Sequence, residues 1–211
     1  MTKQREVTVK GRPNKPEGEA GAQMLARMND SHGPLTRWAL SHLAFKADDR
    51  VLDVGCGGGA CLQRMEKQVT GGHLTGVDYS DVSVAKATAY NQEAVDAGRM
   101  DIVAGSVSAL PFEDDHFDKI VTVESYYFWP ALETDVREVR RVLKPGGHFL
   151  LVAEIYDHPG LPQSVLDNIA EYQMRNLSLD GFVDLFKIAG FADLSIHVEP
   201  EHQWICAEGI K

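Results

Sequence analysis

At 211 residues, 44% hydrophobic and 25% charged, the chain is long enough for one domain with a substantial core and has an ordinary globular composition. Residues 1–16 carry five basic side chains against Glu6 alone, whereas everything after residue 50 carries 12 basic and 25 acidic ones. That field opposes phosphate contacts and argues against nucleic acid as a partner. No apolar run reaches bilayer length, and the first residues lack the apolar segment of a secretory signal. Cys56, Cys61 and Cys206 are an odd number without paired spacing, which argues against a disulfide framework or a zinc site and for a reducing, cytoplasmic setting.

In chain order, residues 1–19 read as a basic, flexible tail and residues 20–211 as a single domain. The domain opens with a helical cap over about 20–45, interrupted at "SHGP", where Pro34 suits the first turn of a second helix. "RVLDV" is a short buried strand, and "GGGACLQRMEKQV" restarts as a helix that ends at Gly71–Gly72. "HLTGVDYS" predicts a second strand, with Ser80 capping one helix over "DVSVAKATAYNQEAVDAG". "MDIVAG" and "FDKIVTVES" follow as strands, and Leu132, Val136, Val139 and Leu143 form one apolar helical stripe. A turn at "KPGG" leads into "GHFLLVAEI", apolar enough for the middle of a sheet covered on both faces. Helices over about 164–177 and 179–189 and a closing pair of strands, "DLSIHVEP" and "HQWICAEGI", complete a doubly wound α/β pattern.

A strand, a glycine turn, a helix and a second strand ending in an acid make a nucleoside-binding unit. The glycines of "VLDVGCGGGA" let a ligand touch the backbone, and Asp78 ends the second strand, where an acid can accept both hydroxyls of a ribose. Gly55, Gly57 and Ala60 also fit the dinucleotide fingerprint. Asp53, however, lies two residues before the first glycine, where a carboxylate repels a pyrophosphate and favours a ligand carrying a sulfonium and an ammonium. No lysine follows the glycines, so a phosphate-cradling loop is excluded. The turn points to S-adenosylmethionine, with S-adenosylhomocysteine as the product. A silent binding module and, less favoured, a nicotinamide-dependent oxidoreductase stay open beside an enzyme.

The ordered pieces "VLDVGCGGG", "GVDYS", "GSVSALPFEDDHFDKIV" and "RVLKPGGHFLLV" resemble the class I, seven-stranded S-adenosylmethionine-dependent methyltransferases of the type 11 branch. The resemblance implies a Rossmann-like sheet in the order 3-2-1-4-5-7-6 with the seventh strand antiparallel. It also implies that Gly55 and Gly57, with Cys56 between them, approach the methionine part of the cofactor. Asp78 would hold the ribose, Tyr79 with Ser80 beside it would lie against the adenine, and Gly105, Ser106 and Val107 would run along the adenine edge. Many relatives carry an aspartate at the position of Ser106.

Ligands of open α/β sheets sit beyond the carboxyl ends of the strands. "ESYYFWP" and "EIY" put Glu124, Tyr126, Tyr127, Trp129, Glu154 and Tyr156 there. Tyr126, Tyr127, Trp129 and Tyr156 are the expected acceptor contacts. Glu124, Tyr126, Glu154 and His32, the last in the break between the two cap helices, are the expected acid–base groups; Glu124 also reaches the cofactor. Acids beside aromatic faces suit a small organic acceptor, nitrogen slightly ahead of oxygen. No metal, nucleic acid or membrane is expected. Asp78→Ala is expected to weaken cofactor binding at least tenfold and to leave the thermal midpoint of the ligand-free protein nearly unchanged.

Overall fold

The structure, a computed structural model, describes residues 10–211; residues 1–9 of the basic head lie outside the described residues. Strands β1 (Arg50–Val54), β2 (His73–Asp78), β3 (Met100–Ala104), β4 (Phe117–Val123), β5 (Leu143–Ala153), β6 (Ala192–Glu199) and β7 (Trp204–Ile210) form one sheet in the order β3-β2-β1-β4-β5-β7-β6. β1, β2 and β3 pair in parallel, as do β4 and β5, while β7 runs antiparallel to both β5 and β6. This is the strand order that the sequence resemblance implied. The chain divides into two compact units, Met1–Ser106 and Val107–Lys211.

The first unit holds α1 (Gly18–Ser31), α2 (Gly33–Leu40), α3 (Ala60–Glu66), α4 (Asp81–Tyr90) and α5 (Gln92–Asp96) around β1–β3. His32 separates α1 from α2 with φ −84° and ψ 2°, and Pro34 occupies the first turn of α2, as the sequence predicts. The single helix expected over 81–98 is instead two. Asn91, with φ −114°, breaks it after Tyr90, and its side-chain amide bonds the carbonyl of Ala87 at 2.9 Å. Ser80 caps α4 by accepting from the Ser83 N–H at 3.4 Å and donates its own hydroxyl to the Pro16 carbonyl at 2.7 Å. That bond fastens the segment before α1 to the carboxyl end of β2.

The second unit carries α6 (Leu132–Val142), α7 (Gln163–Glu171) and α8 (Leu179–Ala189) with β4–β7 and a 3₁₀ turn at Tyr126–Phe128. Phe149 to Ala153 are all fully buried, which is why β5 reads as a continuous apolar run rather than an alternation. "KPGG", expected as a turn before this strand, is absorbed into it; the register with β4 shifts between Phe117 and Lys119. α7 stops at Glu171, earlier than the pattern suggests, and Gln173 takes a left-handed φ of 51° just beyond it. Of the expected apolar stripe, Leu132, Val136 and Val139 are buried on α6, whereas Leu143, expected in the same helix, is the buried first residue of β5.

Candidate functional site

In the first unit β1 ends at Val54 and the chain turns through Gly55, Gly57 and Gly59, all at positive φ (73°, 51° and 83°). An L-residue resists that backbone. At Gly59 a Cβ would also stand 2.5 Å from the Asn91 amide nitrogen. The turn is hooked onto β2, because the N–H groups of Gly55 and Cys56 both donate to the Val77 carbonyl, at 2.8 and 3.1 Å. Two asparagines that the sequence reading missed hold its other side. Asn29 of α1 donates to the Gly58 carbonyl at 2.9 Å, and Asn91 donates to the Gly59 carbonyl at 3.0 Å. A polar residue inside an otherwise helical run was the one available sign of Asn91.

Asp78 is drawn into the same network. Its Oδ1 accepts from the Ser80 N–H at 2.9 Å and its Oδ2 from the Gly57 N–H at 3.0 Å, so the carboxylate joins the glycine turn to the end of β2. The Tyr79 N–H and the Ser83 hydroxyl also approach this carboxylate. Burial raises its pKa in spite of those backbone donors. Asp53 is almost completely buried; Cys61 donates to it, yet its Oδ2 has no hydrogen-bond partner. Burial, with Asp78 as a nearby like charge, pushes its pKa up to about 7. An unpartnered carboxylate oxygen backed by a second acid is a site that a cation relieves. Tyr79 is half exposed, and the Gly105 N–H donates to the Asp78 carbonyl at 3.0 Å, bringing that loop to the same strand end. Ser106 is exposed and Cys56 is a buried free thiol. His32, half-buried, accepts at its carbonyl from the Thr36 N–H at 2.9 Å and the Thr36 hydroxyl at 2.8 Å.

In the second unit Val107 is buried, and so are all four expected acceptor aromatics, Tyr126, Tyr127, Trp129 and Tyr156. Glu124 follows β4 with a left-handed φ of 59°, unusual for a side chain of its kind, and its N–H donates to the Val152 carbonyl at 3.0 Å. Its Oε1 accepts from the Tyr127 hydroxyl at 2.8 Å and, closely, from the Glu154 N–H. Burial pushes its carboxyl up to about 7, against the lowering effect of those two donors. Tyr126 and Tyr127 are 0% and 2% exposed, so neither offers its ring to solvent. The Tyr126 hydroxyl, approached by the backbone of Leu177, has no well-formed hydrogen-bond partner. Trp129 donates to the Ser125 hydroxyl at 3.1 Å, and Tyr156 donates to Gln203 Oε1 at 2.8 Å. The Glu154 side chain is exposed.

A protein-family profile described as a methyltransferase domain matches residues 52–151. The chain belongs to the class I methyltransferases. That family takes its methyl group from S-adenosylmethionine, and the orphaned Asp53 oxygen, the carboxylate of Asp78 and the positive-φ glycine turn fit such a ligand. Sterol 24-C-methyltransferase ERG6B of Gibberella zeae is 34% identical over 154 residues, covering 71% of this chain, which in turn spans only 39% of that longer protein. The uncharacterized methyltransferase YdaC of Bacillus subtilis is 27% identical over 180 residues, 84% of this chain and 91% of its own length. Phosphoethanolamine N-methyltransferase 2 of Haemonchus contortus, solved with S-adenosyl-L-methionine, superposes with a TM-score of 0.78. It covers 100% of this chain and 60% of its own, at 16% identity, a likeness of fold. Among the described residues no helix of this methyltransferase is long and apolar enough to cross a membrane.

Proposed function

We propose that the chain is an S-adenosylmethionine-dependent methyltransferase acting on a small organic acceptor through nitrogen or oxygen. The observation that carries the reading is the buried Asp53, one oxygen unpartnered, at the end of a strand whose glycine turn is fixed by Asp78 and two asparagines. When bound, the cofactor supplies a methyl group already activated on a sulfonium, so orientation and exclusion of water can carry most of the acceleration.

In this reading Asp53 faces the cationic methionine part, while Gly55 and Gly57, without side chains, let it approach the backbone. Asp78 accepts from the ribose hydroxyls and Tyr79 flanks the adenine. Glu124 is the favoured base: a carboxyl held near 7 is ionised enough at neutral pH to accept an acceptor's N–H or O–H proton, and basic enough to keep it. Trp129 and Tyr156 remain the aromatic neighbours of the acceptor, and His32 and Glu154 the alternative bases. Carbon is the second acceptor atom to consider, because the sterol relative is named for methylation at carbon.

Calorimetry tests the first half. S-adenosylmethionine and S-adenosylhomocysteine should both bind, with NAD and NADP inert; micromolar NAD binding without affinity for S-adenosylhomocysteine would overturn the reading. Radiolabelled methyl transfer to panels of amines, phenols and sterols tests the second half, and product analysis identifies the atom. Binding without transfer to any panel would favour a silent cofactor-binding module.

A further inference from the structure

We propose that Tyr127 is a positioning residue whose hydroxyl fixes one oxygen of Glu124, leaves the other to face the acceptor, and changes partner when Glu124 takes up a proton. The inference rests on the reading of Glu124 as the base. Tyr127 was expected to touch the acceptor, but its ring is buried, 4.4 Å from that of Tyr126. Its carbonyl accepts from the Arg175 N–H at 3.0 Å, which anchors the backbone as well. What the side chain offers is a fixed hydroxyl.

That hydroxyl lies in a short relay. The Ile155 N–H donates to it at 3.1 Å, and it donates to Glu124 Oε1 at 2.8 Å. Glu154 contributes its backbone N–H to the same oxygen. Oε1 is therefore engaged by two donors, the Tyr127 side chain from the 3₁₀ turn after β4 and the Glu154 backbone from just beyond β5. Among the described residues Oε2 receives no hydrogen bond, so it is the oxygen left for an acceptor proton. A carboxylate fixed at one oxygen and free at the other is a directed base, because the proton's destination is set before the acceptor arrives.

The second acceptor within reach of the hydroxyl is the Ile155 carbonyl, at 3.4 Å. Donation to Oε1 is favoured while Glu124 is charged, since a bond to an ionised acceptor is the stronger one. Once Oε2 has taken the acceptor's proton, Oε1 belongs to a neutral acid and accepts less well. Rotation about the Tyr127 C–O bond alone then redirects the hydroxyl to Ile155, with no movement of the ring. Tyr127 itself stays protonated throughout, as burial and the adjacent Glu124 raise its pKa well above the ordinary phenol range. Tyr126 and the side chain of Glu154 are the other titratable groups of this unit on the segments that carry the pair.

The test needs no acceptor. Protein labelled with ¹³C at glutamate side-chain carboxyls is titrated by NMR, and the Glu124 resonance is assigned by its loss in Glu124→Gln. The wild-type midpoint should lie at about 7. Tyr127→Phe removes a donor to the charged form, so the midpoint should rise by about one pH unit. If Tyr127→Phe folds poorly, 3-fluorotyrosine at position 127 keeps the ring and strengthens the donor; the midpoint should then fall. A midpoint that moves in neither variant overturns the role of Tyr127. Methyl transfer unaffected by Glu124→Gln would overturn Glu124 as base, a separate result that leaves the titration intact.

Discussion

Asp78 joins a structural duty to the ribose contact proposed for it. Its place at the end of β2 was legible from "GVDYS". Its bonds to the Gly57 and Ser80 N–H groups were not, because they depend on where the glycine turn folds back in space. Asp78→Ala should weaken S-adenosylmethionine binding at least tenfold, each lost charge-assisted bond being worth about 1.5–3 kcal/mol. It should also lower the melting temperature of the ligand-free protein, because two backbone donors lose their acceptor at about 1–3 kcal/mol each. That corrects the expectation of an unchanged midpoint from a purely ligand-binding aspartate. Calorimetry and a thermal melt of the same preparation check both; an unaltered midpoint would mean that water replaces the carboxylate without cost. Tyr127 teaches the complementary lesson. An aromatic beside an acid at a strand end reads as a pocket wall, and nothing in a three-residue 3₁₀ turn has the periodicity to reveal that the ring points inward.

At the scale of elements, the order of the strands came from the family resemblance alone, whereas the strands themselves were readable because each carries either a continuous apolar run or a motif tied to its end. The helices were less so. The break between α4 and α5 follows from Asn91 turning its amide to the Gly59 and Ala87 carbonyls, a contact spanning two crossovers of the fold. Replacing Asn91 by Ala frees two carbonyls in a buried setting and removes the clamp on the last glycine of the turn. The loss expected is about 1–3 kcal/mol of stability, with weaker cofactor binding in the folded fraction. Asn91→Ala with a normal melting temperature and normal affinity for S-adenosylmethionine would show that β2 and Asn29 suffice to shape the turn.

For the whole molecule the decisive electrostatic feature is three buried acids with raised pKa values: Asp53 and Glu124, each at about 7, and Asp78. Burial dominates in each. Between the unfolded carboxyl range near 4 and these folded values, the native protein holds protons that the unfolded chain has released. Their stabilising effect is thus complete below about pH 4 and lost as pH rises through about 7. The melting temperature of the ligand-free protein should therefore fall between pH 5 and pH 8, and Asp53→Asn should flatten part of that fall. If Asp53 faces the cationic methionine part as proposed, saturating S-adenosylmethionine should recover more stability at pH 8 than at pH 5. Melts at constant ionic strength decide the matter; a wild-type midpoint that climbs steadily to pH 8 would mean that these acids are better solvated than the structure indicates.

The placement of β7 has a consequence for how the molecule is made. It follows β6 in the chain yet lies inside it, hydrogen-bonded to β5 on one side and β6 on the other. On a ribosome, β5 emerges with one edge bare, and β6 cannot take its place because the strand that joins them has not been synthesised. Some fifty residues of sequence separate the two partners, a long loop to close before any pairing rewards it. During that interval the run Phe149–Ala153, fully buried in the finished sheet, presents an apolar edge open to pairing with a neighbouring chain. The vulnerable moment of this enzyme's life is thus its birth, and a chaperone or slow cooling during expression would act on that open edge rather than on the finished fold.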